Sequence, residues 1–332
     1  MAQHFLLSAA VRTLTLASVV RMSDEEVERV FIRLRWADNG GNAYCPHCGC
    51  MTVYMARRPS GSARWRCKAC HKDFTITSGT LLAAHKMPLR SYLMAIAIFA
   101  NEVKGKSMLA LSRDLGTQYK TAFVLAHKIR EAMAAEVRQV PIGEGTKAEI
   151  DGAFFGGHVR SANRRENRRD RRLRENQSGK RRVVVVIRER GDGGKTVPGV
   201  FRSEVEALNF IRRQVPQGTT LYGDSAGPWN ELVSRYTLHR VNHEEAYSLG
   251  GDDEINTNAA ESFFSRMRRG EVGHHHHIAG PYLLRFAQEA AWRENYRRAA
   301  NGTQVDRIVA LAMHNKPSVD FCGYWQRSRA AA

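Results

Sequence analysis

The sequence predicts a mixed α/β domain as the largest part of the chain, preceded by a cysteine-rich module and a helical module. Three observations lead to this arrangement. Strand-like apolar runs alternate with helical patterns after residue 146, four cysteines form two close pairs within residues 41–78, and residues 79–140 show helical periodicity throughout. A chain of 332 residues, 43% of them hydrophobic, can form two or three compact units, which excludes a wholly disordered polycation.

The net charge narrows the class of partner. The chain has 51 Lys and Arg against 33 Asp and Glu, a formal charge of +18, which favours nucleic acid or a membrane surface over a small neutral substrate. No run of about 18 apolar residues occurs, so a membrane-spanning helix is not expected. The basic regions carry no long amphipathic stripe either, which leaves duplex DNA as the predicted partner and no membrane.

The N-terminal segment, residues 1–40, is expected to be helical. Residues 5–20 are apolar like a signal peptide, but no basic segment precedes them and Arg12 interrupts them, so we interpret them as a helix of a cytoplasmic protein. Ser23 and Glu26 form a capping-box pattern that predicts a helix from Asp24 to Trp36. The sequence Asp38-Asn39-Gly40-Gly41 then ends it.

The cysteine module, residues 41–78, has the spacing of a structural metal site. Two C-x2-C pairs lie 18 residues apart, and four thiolates with no open position can close a tetrahedron around Zn²⁺. His47, Cys50 and His71 are close enough to be alternative ligands. Basic residues around the module suit phosphate contacts, although a merely solvated face stays open. The predicted zinc ligands are Cys45, Cys48, Cys67 and Cys70, and the basic residues are Arg57, Arg58, Arg64, Arg66, Lys68 and Lys72.

The helical domain, residues 79–140, contains a candidate helix-turn-helix. A helix opened by Met87-Pro88-Leu89 runs through Phe99, and two shorter ones over 108–115 and 118–133 flank a glycine-containing turn. In such a motif the first residues of the second helix contact bases in the major groove. Plain helical packing is the alternative. The predicted DNA-contacting residues are Gln118, Tyr119 and Lys120.

The α/β domain, residues 146–300, follows a linker around Pro141. Strands followed by helices predict a mixed sheet with helices packed on it. The expected strands are 147–155, 182–189, 196–201, 219–224 and 236–241; the expected helices are 204–214, 257–269 and 281–298. A helical tail, residues 301–332, follows.

A basic arm, residues 158–182, interrupts this domain. Ten Arg and one Lys against three acidic residues give it a net charge of +8. The arm lacks apolar periodicity and cannot fold alone, and its arginines suit bidentate phosphate recognition. A solvated loop is the alternative. The residues expected to contact DNA are Arg168, Arg169, Arg171 and Arg172.

Three carboxylates occupy positions that can converge at one sheet edge. Asp151 lies in the first strand of the α/β domain, Asp224 ends a later strand, and Glu261 lies in the first turns of a helix. Clustered acids require a counter-ion or shifted pKa values, and hard oxygen ligands suit Mg²⁺ or Mn²⁺, which in pairs support phosphodiester transfer. Arg268 falls on the same helix face as Glu261 and could hold DNA nearby. Competing acids leave the spacing alone indecisive: Glu149, Glu231 and Asp252-Asp253-Glu254.

Several longer blocks carry a family resemblance: LRW, CPHCGC, RWRCKACHKDFTITSGT, IDGAFFGGHVR, VNHEEAYSLGG, NAAESFFSRMRRGEVGHHHHIAGPYLLRFAQEAAWRENYRR and YWQR. Together they resemble the DDE-type bacterial insertion-sequence transposases of the zinc-ribbon ISXO2-like group, the IS1595 family, over nearly the whole chain. The resemblance implies a ribonuclease H-like catalytic domain in which Asp151, Asp224 and Glu261 are the catalytic, metal-binding triad. It also places zinc at the four cysteines.

The resemblance also concerns a run of histidines and two positions that depart from the family pattern. The run His274, His275, His276 and His277 matches a native histidine-rich block of the family, with DNA contact or packing near the metals both open. Ser225 stands where the family commonly has an acidic residue, and Asn256 where a histidine or similar polar residue is frequent. Neither departure removes a carboxylate.

The sequence therefore predicts a transposase that binds the ends of its own insertion element and performs metal-dependent strand cleavage and transfer. A homo-oligomer on DNA is expected, because transposition joins two ends to one target; the expected location is the cytoplasm, on the nucleoid. One alternative is a non-catalytic DNA-binding regulator derived from a transposase that uses only its first 140 residues. The other is a structure-selective nuclease on the same fold.

Overall fold

A computed structural model describes residues 5–83, 87–138, 142–143, 145–157, 162–169, 176, 179–191, 193–241 and 255–321. The chain divides into two compact units. The first joins Met1–Glu136 to Arg298–Ala332, and the second is Val137–Arg297. No helix within the described ranges is both long enough and apolar enough to cross a bilayer.

The N-terminal segment of the first unit differs from the single helix expected over residues 5–20, and this expectation is wrong. Short 3-10 turns cover Phe5–Leu7 and Ala9–Val11, and helix α1 covers only Leu16–Arg21. The side-chain oxygen of Asn301 accepts hydrogen bonds from the backbone N–H groups of Thr13 and Leu14, both at 2.9 Å. These tertiary bonds replace the helical ones between the two segments, so the helix cannot be continuous.

Helix α2, Asp24–Arg35, confirms the capping box that the sequence predicts. The Ser23 hydroxyl accepts the N–H of Glu26 at 3.2 Å, and the Glu26 carboxylate accepts the N–H of Ser23 at 2.7 Å. The first unit continues with a three-stranded antiparallel sheet, β1 Val53–Arg57, β2 Ala63–Cys67 and β3 Asp73–Phe74. The helices that follow are α3 Leu89–Asn101, α4 Met108–Asp114 and α5 Tyr119–Val137.

The last helix, α9 Asn301–His314, belongs to the first unit although it follows the second in sequence. Asp306 pairs with Arg33 of α2 at 2.8 Å, and the Ala312 carbonyl accepts the N–H of Leu81 at 3.1 Å. Its buried residues, among them Val305, Ile308 and Val309, pack in the core of that unit. The core of the first unit is therefore assembled from both ends of the chain.

The second unit is built on a five-stranded mixed sheet of order β6-β5-β4-β7-β8. Its first three strands in sequence pair antiparallel, whereas β4, β7 and β8 run parallel. All five strands lie within one residue of the positions predicted from sequence. The strands are β4 Lys147–Phe155, β5 Arg182–Glu189, β6 Thr196–Phe201, β7 Thr220–Asp224 and β8 Thr237–Val241.

Helices cover both faces of this sheet, which explains the unbroken apolar run of β5. Helix α6, Glu204–Gln214, packs Ala207, Leu208 and Ile211 against alternate residues of β4 and β5. Helices α7, Asn258–Gly270, and α8, Leu283–Asn295, contact β4 and β6 respectively. Strands buried on both faces lose the apolar–polar alternation of half-exposed ones. The predicted mixed α/β class is confirmed.

Candidate functional site

The four cysteines of the first unit form a compact cluster. Their sulfur atoms all lie within 4.8 Å of one another, with Cys45–Cys70 and Cys48–Cys67 pairs at 3.6 Å. Zn–S bonds of about 2.3 Å in a tetrahedron require sulfur–sulfur edges of about 3.8 Å. The cluster therefore fits a structural zinc ion, and its four thiols leave no coordination position for substrate.

Two matching turns shape this cluster. The Cys45 carbonyl accepts the N–H of Gly49 at 2.9 Å, and the Cys67 carbonyl accepts the N–H of His71 at 3.1 Å. Gly49 and His71 both adopt left-handed backbone, with φ of 75° and 56°. The backbone N–H of Cys70 is the main group that lowers the pKa of Cys67, to about 6, while burial acts in the opposite direction. The turn at Cys67 thus favours the thiolate form of that residue, whereas burial and the neighbouring thiols raise the pKa of Cys48 and Cys70.

The alternative ligands are not part of this cluster. Among the described residues the group of metal-binding side chains contains the four cysteines alone, and the Cys50 thiol instead donates to the Thr52 carbonyl at 3.6 Å. Trp65 of β2 packs between Trp36 and Phe74, at ring-centroid distances of 5.3 and 5.9 Å. Two of the surrounding cations form ion pairs, Arg57 with Glu28 and Arg64 with Asp73; Arg58, Arg66, Lys68 and Lys72 are exposed.

The three carboxylates predicted from sequence lie in the second unit, close enough for their charges to interact. Strands β4 and β7 are parallel neighbours in which Ile150 pairs with Gly223. Asp151 and Asp224 are the next residues of the two strands and are therefore neighbours across them. Glu261 lies in the first turn of α7. Each of Asp224 and Glu261 is close enough for its charge to raise the pKa of Asp151.

The electrostatics of this cluster favour an added cation. Burial is the main cause that raises the pKa of Asp151 to about 7, and the charge of Asp224 raises it further. The hydrogen bond that Asp151 accepts from the N–H of Gly152, at 2.7 Å, acts in the opposite direction and lowers this pKa. Asp224 accepts neutral donors, the indole N–H of Trp229 at 2.7 Å and the N–H of Ala226 at 3.2 Å. Half-buried carboxylates that repel one another suit a divalent ion with oxygen ligands, so the chemistry of these donors, although not a closed ligand cluster, fits Mg²⁺ or Mn²⁺.

A fourth carboxylate, Glu204, was missed by the sequence reasoning. It opens α6, and its side chain lies over Gly152, where an added Cβ would come within 2.9 Å of the carboxylate oxygen. Its charge contributes to the raised pKa of Asp151, and burial followed by the charge of Asp224 raises its own pKa. The available signal was its place at the start of a helix directly after a strand of the same sheet.

Glu149, a competing acid in the sequence, is engaged elsewhere. One carboxylate oxygen accepts the N–H of Ala260 at 2.9 Å and the other accepts Arg190 at 2.9 Å. Thr257, the N-cap residue of α7, forms no side-chain capping hydrogen bond. Glu149 of β4 acts as the cap instead, because it accepts the N–H of Ala260 in the first turn. Since Ala260 precedes Glu261, this contact fixes the end of α7 that carries the third carboxylate.

Arg190 extends this contact into a network. Its guanidinium stacks on Tyr222 at 3.6 Å from the ring centroid and donates to the carbonyl and side-chain oxygens of Asn256. Asn256 is one of the two departures from the family pattern. At the other, the Ser225 hydroxyl donates to the Val241 carbonyl at 3.1 Å and ties the ends of β7 and β8 together.

Arg268 and the histidine run lie farther along α7. Arg268 is exposed, and its guanidinium carbon is 5.8 Å from the Phe155 ring centroid. A π-helix over Glu271–His275 continues α7, the His275 ring lies 4.7 Å from that of Phe286, and His276 has a left-handed backbone.

The remaining predicted DNA contacts lie on exposed surfaces. Gln118, Tyr119 and Lys120 are exposed at the start of α5, which follows α4 after a turn at Gly116 with φ of 59°. Arg168 and Arg169 are exposed, and Arg168 donates to the carbonyls of Ala162 and Asn163, both at 3.3 Å. Arg171, Arg172 and most of the basic arm fall outside the described residues.

Comparison with known proteins gives two matches in separate parts of the chain. Residues 22–73 match the transposase zinc-ribbon domain, and residues 144–295 match the ISXO2-like transposase domain. Both matched domains are domains of transposases. The ribbon match contains all four clustered cysteines, and the transposase match contains Asp151, Asp224 and Glu261 together with Glu149 and Glu204.

A curated relative also comes from a mobile element. It is an uncharacterised protein in the transposable element ISH50 of Halobacterium salinarum, 24% identical over 255 residues, which cover 75% of this chain and 83% of the relative. No solved structure matches. The resemblance inferred from the sequence is confirmed by these matches to an ISXO2-like transposase domain and a transposase zinc-ribbon domain.

Proposed function

We propose that this transposase-family protein binds the ends of its own insertion element and catalyses metal-dependent DNA cleavage and strand transfer. The observation that carries the proposal is that the β4–β7 register sets Asp151 beside Asp224, with the pKa of Asp151 raised to about 7 by burial and by the charges of Asp224 and Glu261. The strand order, with β4 central and β7 and β8 parallel to it, supports a ribonuclease H-like domain.

A hydrogen bond to the carboxylate, or to the helix that carries it, positions each of the three acids. Asp224 is oriented by the indole of Trp229, Asp151 by the N–H of Gly152, and Glu261 by a helix end that Glu149 caps. Mg²⁺ or Mn²⁺ bound by these oxygens would supply the charge that activates the attacking hydroxyl and stabilises the leaving oxygen of a phosphodiester. Because the groups are fixed before substrate arrives, little reorganisation accompanies the reaction.

The remaining parts of the protein would hold the DNA. Arg268 stands on the helix of Glu261 and would contact the strand near the reacting phosphate. The zinc ribbon and the exposed start of α5, with Gln118, Tyr119 and Lys120, would bind the element end in a helix-turn-helix manner, with Arg168, Arg169, Arg171 and Arg172 on the backbone. A homo-oligomer would assemble on the DNA, since two ends must reach one target.

The test is cleavage of DNA that carries the sequences flanking the gene, in the presence of Mg²⁺. Asp151→Asn and Glu261→Gln should lower the cleavage rate at least about 100-fold while DNA binding persists. Glu231→Gln is the matched control, because Glu231 is an exposed acid of the same unit that pairs only loosely with Arg212 at 3.4 Å. Cleavage by Asp151→Asn at the wild-type rate would refute the proposed site. Specific binding without any cleavage by the wild type would favour the regulator.

A further inference from the structure

The end of strand β4 carries two consecutive aromatic residues, each with an arginine against its ring. Phe155 faces α7, with its ring 6.4 Å from that of Phe264, and Arg268 lies 5.8 Å from it. Phe154 points to the opposite face of the sheet because side chains alternate along a strand. It is 41% exposed, and the Arg181 guanidinium carbon lies 4.4 Å from its ring centroid.

The backbone around Arg181 is held firmly. Gly156 and Gly157 follow β4 with φ of 72° and 71°, a conformation that glycine adopts without strain. A Cβ added at Gly157 would come within 2.9 Å of the Arg181 Cβ and 3.1 Å of its Cα. The backbone at Gly157 therefore packs closely against the backbone of Arg181. This contact fixes the position of the Arg181 Cα and Cβ atoms.

Both arginines lie near residues that follow a carboxylate by a similar length of strand or helix. Phe154 is three residues beyond Asp151 on an extended strand, about 10 Å. Arg268 is two helical turns beyond Glu261, again about 10 Å. Helix α7 runs along β4 in the same direction, since Ala260 contacts Glu149 and Phe264 contacts Phe155. The two guanidinium groups therefore flank the same end of β4, one on each face of the sheet.

We propose that Arg181, supported by Phe154, binds a phosphate of the DNA strand held in the carboxylate site, about three nucleotides from the reacting phosphate along the duplex axis. The inference rests on the proposed function and adds a contact that pairs with Arg268 across the end of β4. A guanidinium stacked on an aromatic ring keeps its N–H edge available for a bidentate bond to phosphate. The exposed ring edge and the positive charge beside it match a polyanion that passes over this edge.

Arg235 offers a matched control in the same unit. Like Arg181, it is an arginine beside an aromatic ring, 5.9 Å from the Tyr236 centroid. It lies two residues before β8, whose first residue pairs with the first residue of β7, whereas Asp224 ends β7. Arg235 therefore lies at the end of the sheet opposite the carboxylates, where the proposed contact cannot form.

The experiment measures binding of the full-length protein to a fluorescein-labelled duplex of arbitrary sequence, in EDTA, over a series of NaCl concentrations. Arg181→Ala should weaken binding about ten-fold at low salt and reduce the slope of log K against log salt by about 0.9, as expected for one lost phosphate contact. Arg235→Ala should match the wild type in both quantities. Thermal unfolding of each variant checks that the fold is retained.

Two further variants keep the test decisive if Arg181→Ala folds poorly. Arg181→Lys should keep the salt slope but bind about three-fold more weakly, since the charge persists while the stacked bidentate geometry is lost. Phe154→Leu should likewise keep the slope and lower affinity. An unchanged slope and affinity in Arg181→Ala, or an equal loss in Arg235→Ala, would overturn the inference. Because binding is measured without metal, failure here is distinct from failure of Asp151→Asn to abolish cleavage.

Discussion

At the scale of single residues, Asp151 combines burial with proximity to three other carboxylates. Burial chiefly, and then the charges of Asp224, Glu261 and Glu204, raise its pKa to about 7. An unfolded chain releases this proton near pH 3.9. In the metal-free protein the stability contributed by the protonated carboxyl is therefore fully present below about pH 4 and is lost as the pH rises through about 7.

This sign gives a pH-dependent prediction for Asp151→Asn. In EDTA the substitution should raise the free energy of unfolding of the second unit at pH 8, by an amount on the order of a few kcal/mol, and the gain should disappear near pH 4. Denaturant unfolding at both pH values measures it. Added Mg²⁺ should stabilise the wild type at pH 8 but not the variant. A variant less stable than the wild type at pH 8 without metal would contradict this account.

Glu204 makes a second prediction at this scale. If its carboxylate contributes to holding the cation, Glu204→Gln should weaken Mn²⁺ binding about 10-fold or more, as measured by titration calorimetry in the absence of DNA. Glu206→Gln is the control, because Glu206 lies on the same helix but is exposed and accepts the N–H of Arg202 at 2.9 Å. Equal Mn²⁺ affinity in the two variants would remove Glu204 from the site.

At the scale of elements, α7 shows how a strand can position the helix that carries Glu261. Its own N-cap residue provides no cap, and Glu149 of β4 supplies the acceptor for Ala260 while pairing with Arg190. A carboxylate at a helix N-terminus also interacts favourably with the helix dipole. The same strand thus carries one carboxylate and fixes the position of another.

Glu149→Ala should therefore affect the reaction more than DNA binding. We expect a loss of about 2 kcal/mol in unfolding free energy and a fall in the cleavage rate of about 10- to 100-fold, with end-DNA affinity within about two-fold of wild type. Glu149→Gln, which keeps an acceptor for Ala260, should recover part of the rate. Glu189→Ala is the control: Glu189 is also buried and accepts N–H groups of Gly143 and Lys195. A similar rate loss in that control would show general destabilisation instead of positioning.

The elements themselves were largely predictable from local sequence. The Ser23 capping box and the five strands of the second unit follow from side-chain chemistry and apolar runs that act within a few residues. Residues 5–20 failed because Asn301, far along the chain, competes for the backbone N–H groups of Thr13 and Leu14. A hydrogen-bond partner nearly 290 residues away cannot be predicted from the apolar periodicity of residues 5–20.

At the scale of the whole molecule, the C-terminal segment Arg298–Ala332 belongs to the first unit although it follows the second unit in sequence. Helix α9 packs with α2 and α3, and Arg307 pairs with Glu136 at the end of α5. A regulator that used only the first 140 residues would lack this helix. The apolar surface that α9 covers would then be exposed to solvent.

A fragment of residues 1–136 should accordingly be much less stable than the same fragment joined through a flexible linker to residues 298–332. We expect loss of near-ultraviolet circular dichroism and of cooperative thermal unfolding in the shorter fragment, with both restored in the linked form. Zinc should be supplied to both. If the short fragment unfolds at the same temperature as the linked one, α9 is dispensable and the regulator alternative regains its structural basis.

The sequence by itself determined the family resemblance, the four clustered cysteines, the class of fold and the elements that carry three acidic residues, because spacing, capping and apolar periodicity are local properties. Tertiary structure decided which acids share one cluster. It placed Glu204 over Gly152, where its charge acts on Asp151, set Glu149 at the N-terminal end of α7, and packed Arg181 against Phe154. Such contacts join residues up to 111 positions apart, as between Glu149 and Ala260, and depend on sheet register and helix docking, which no short window of sequence encodes.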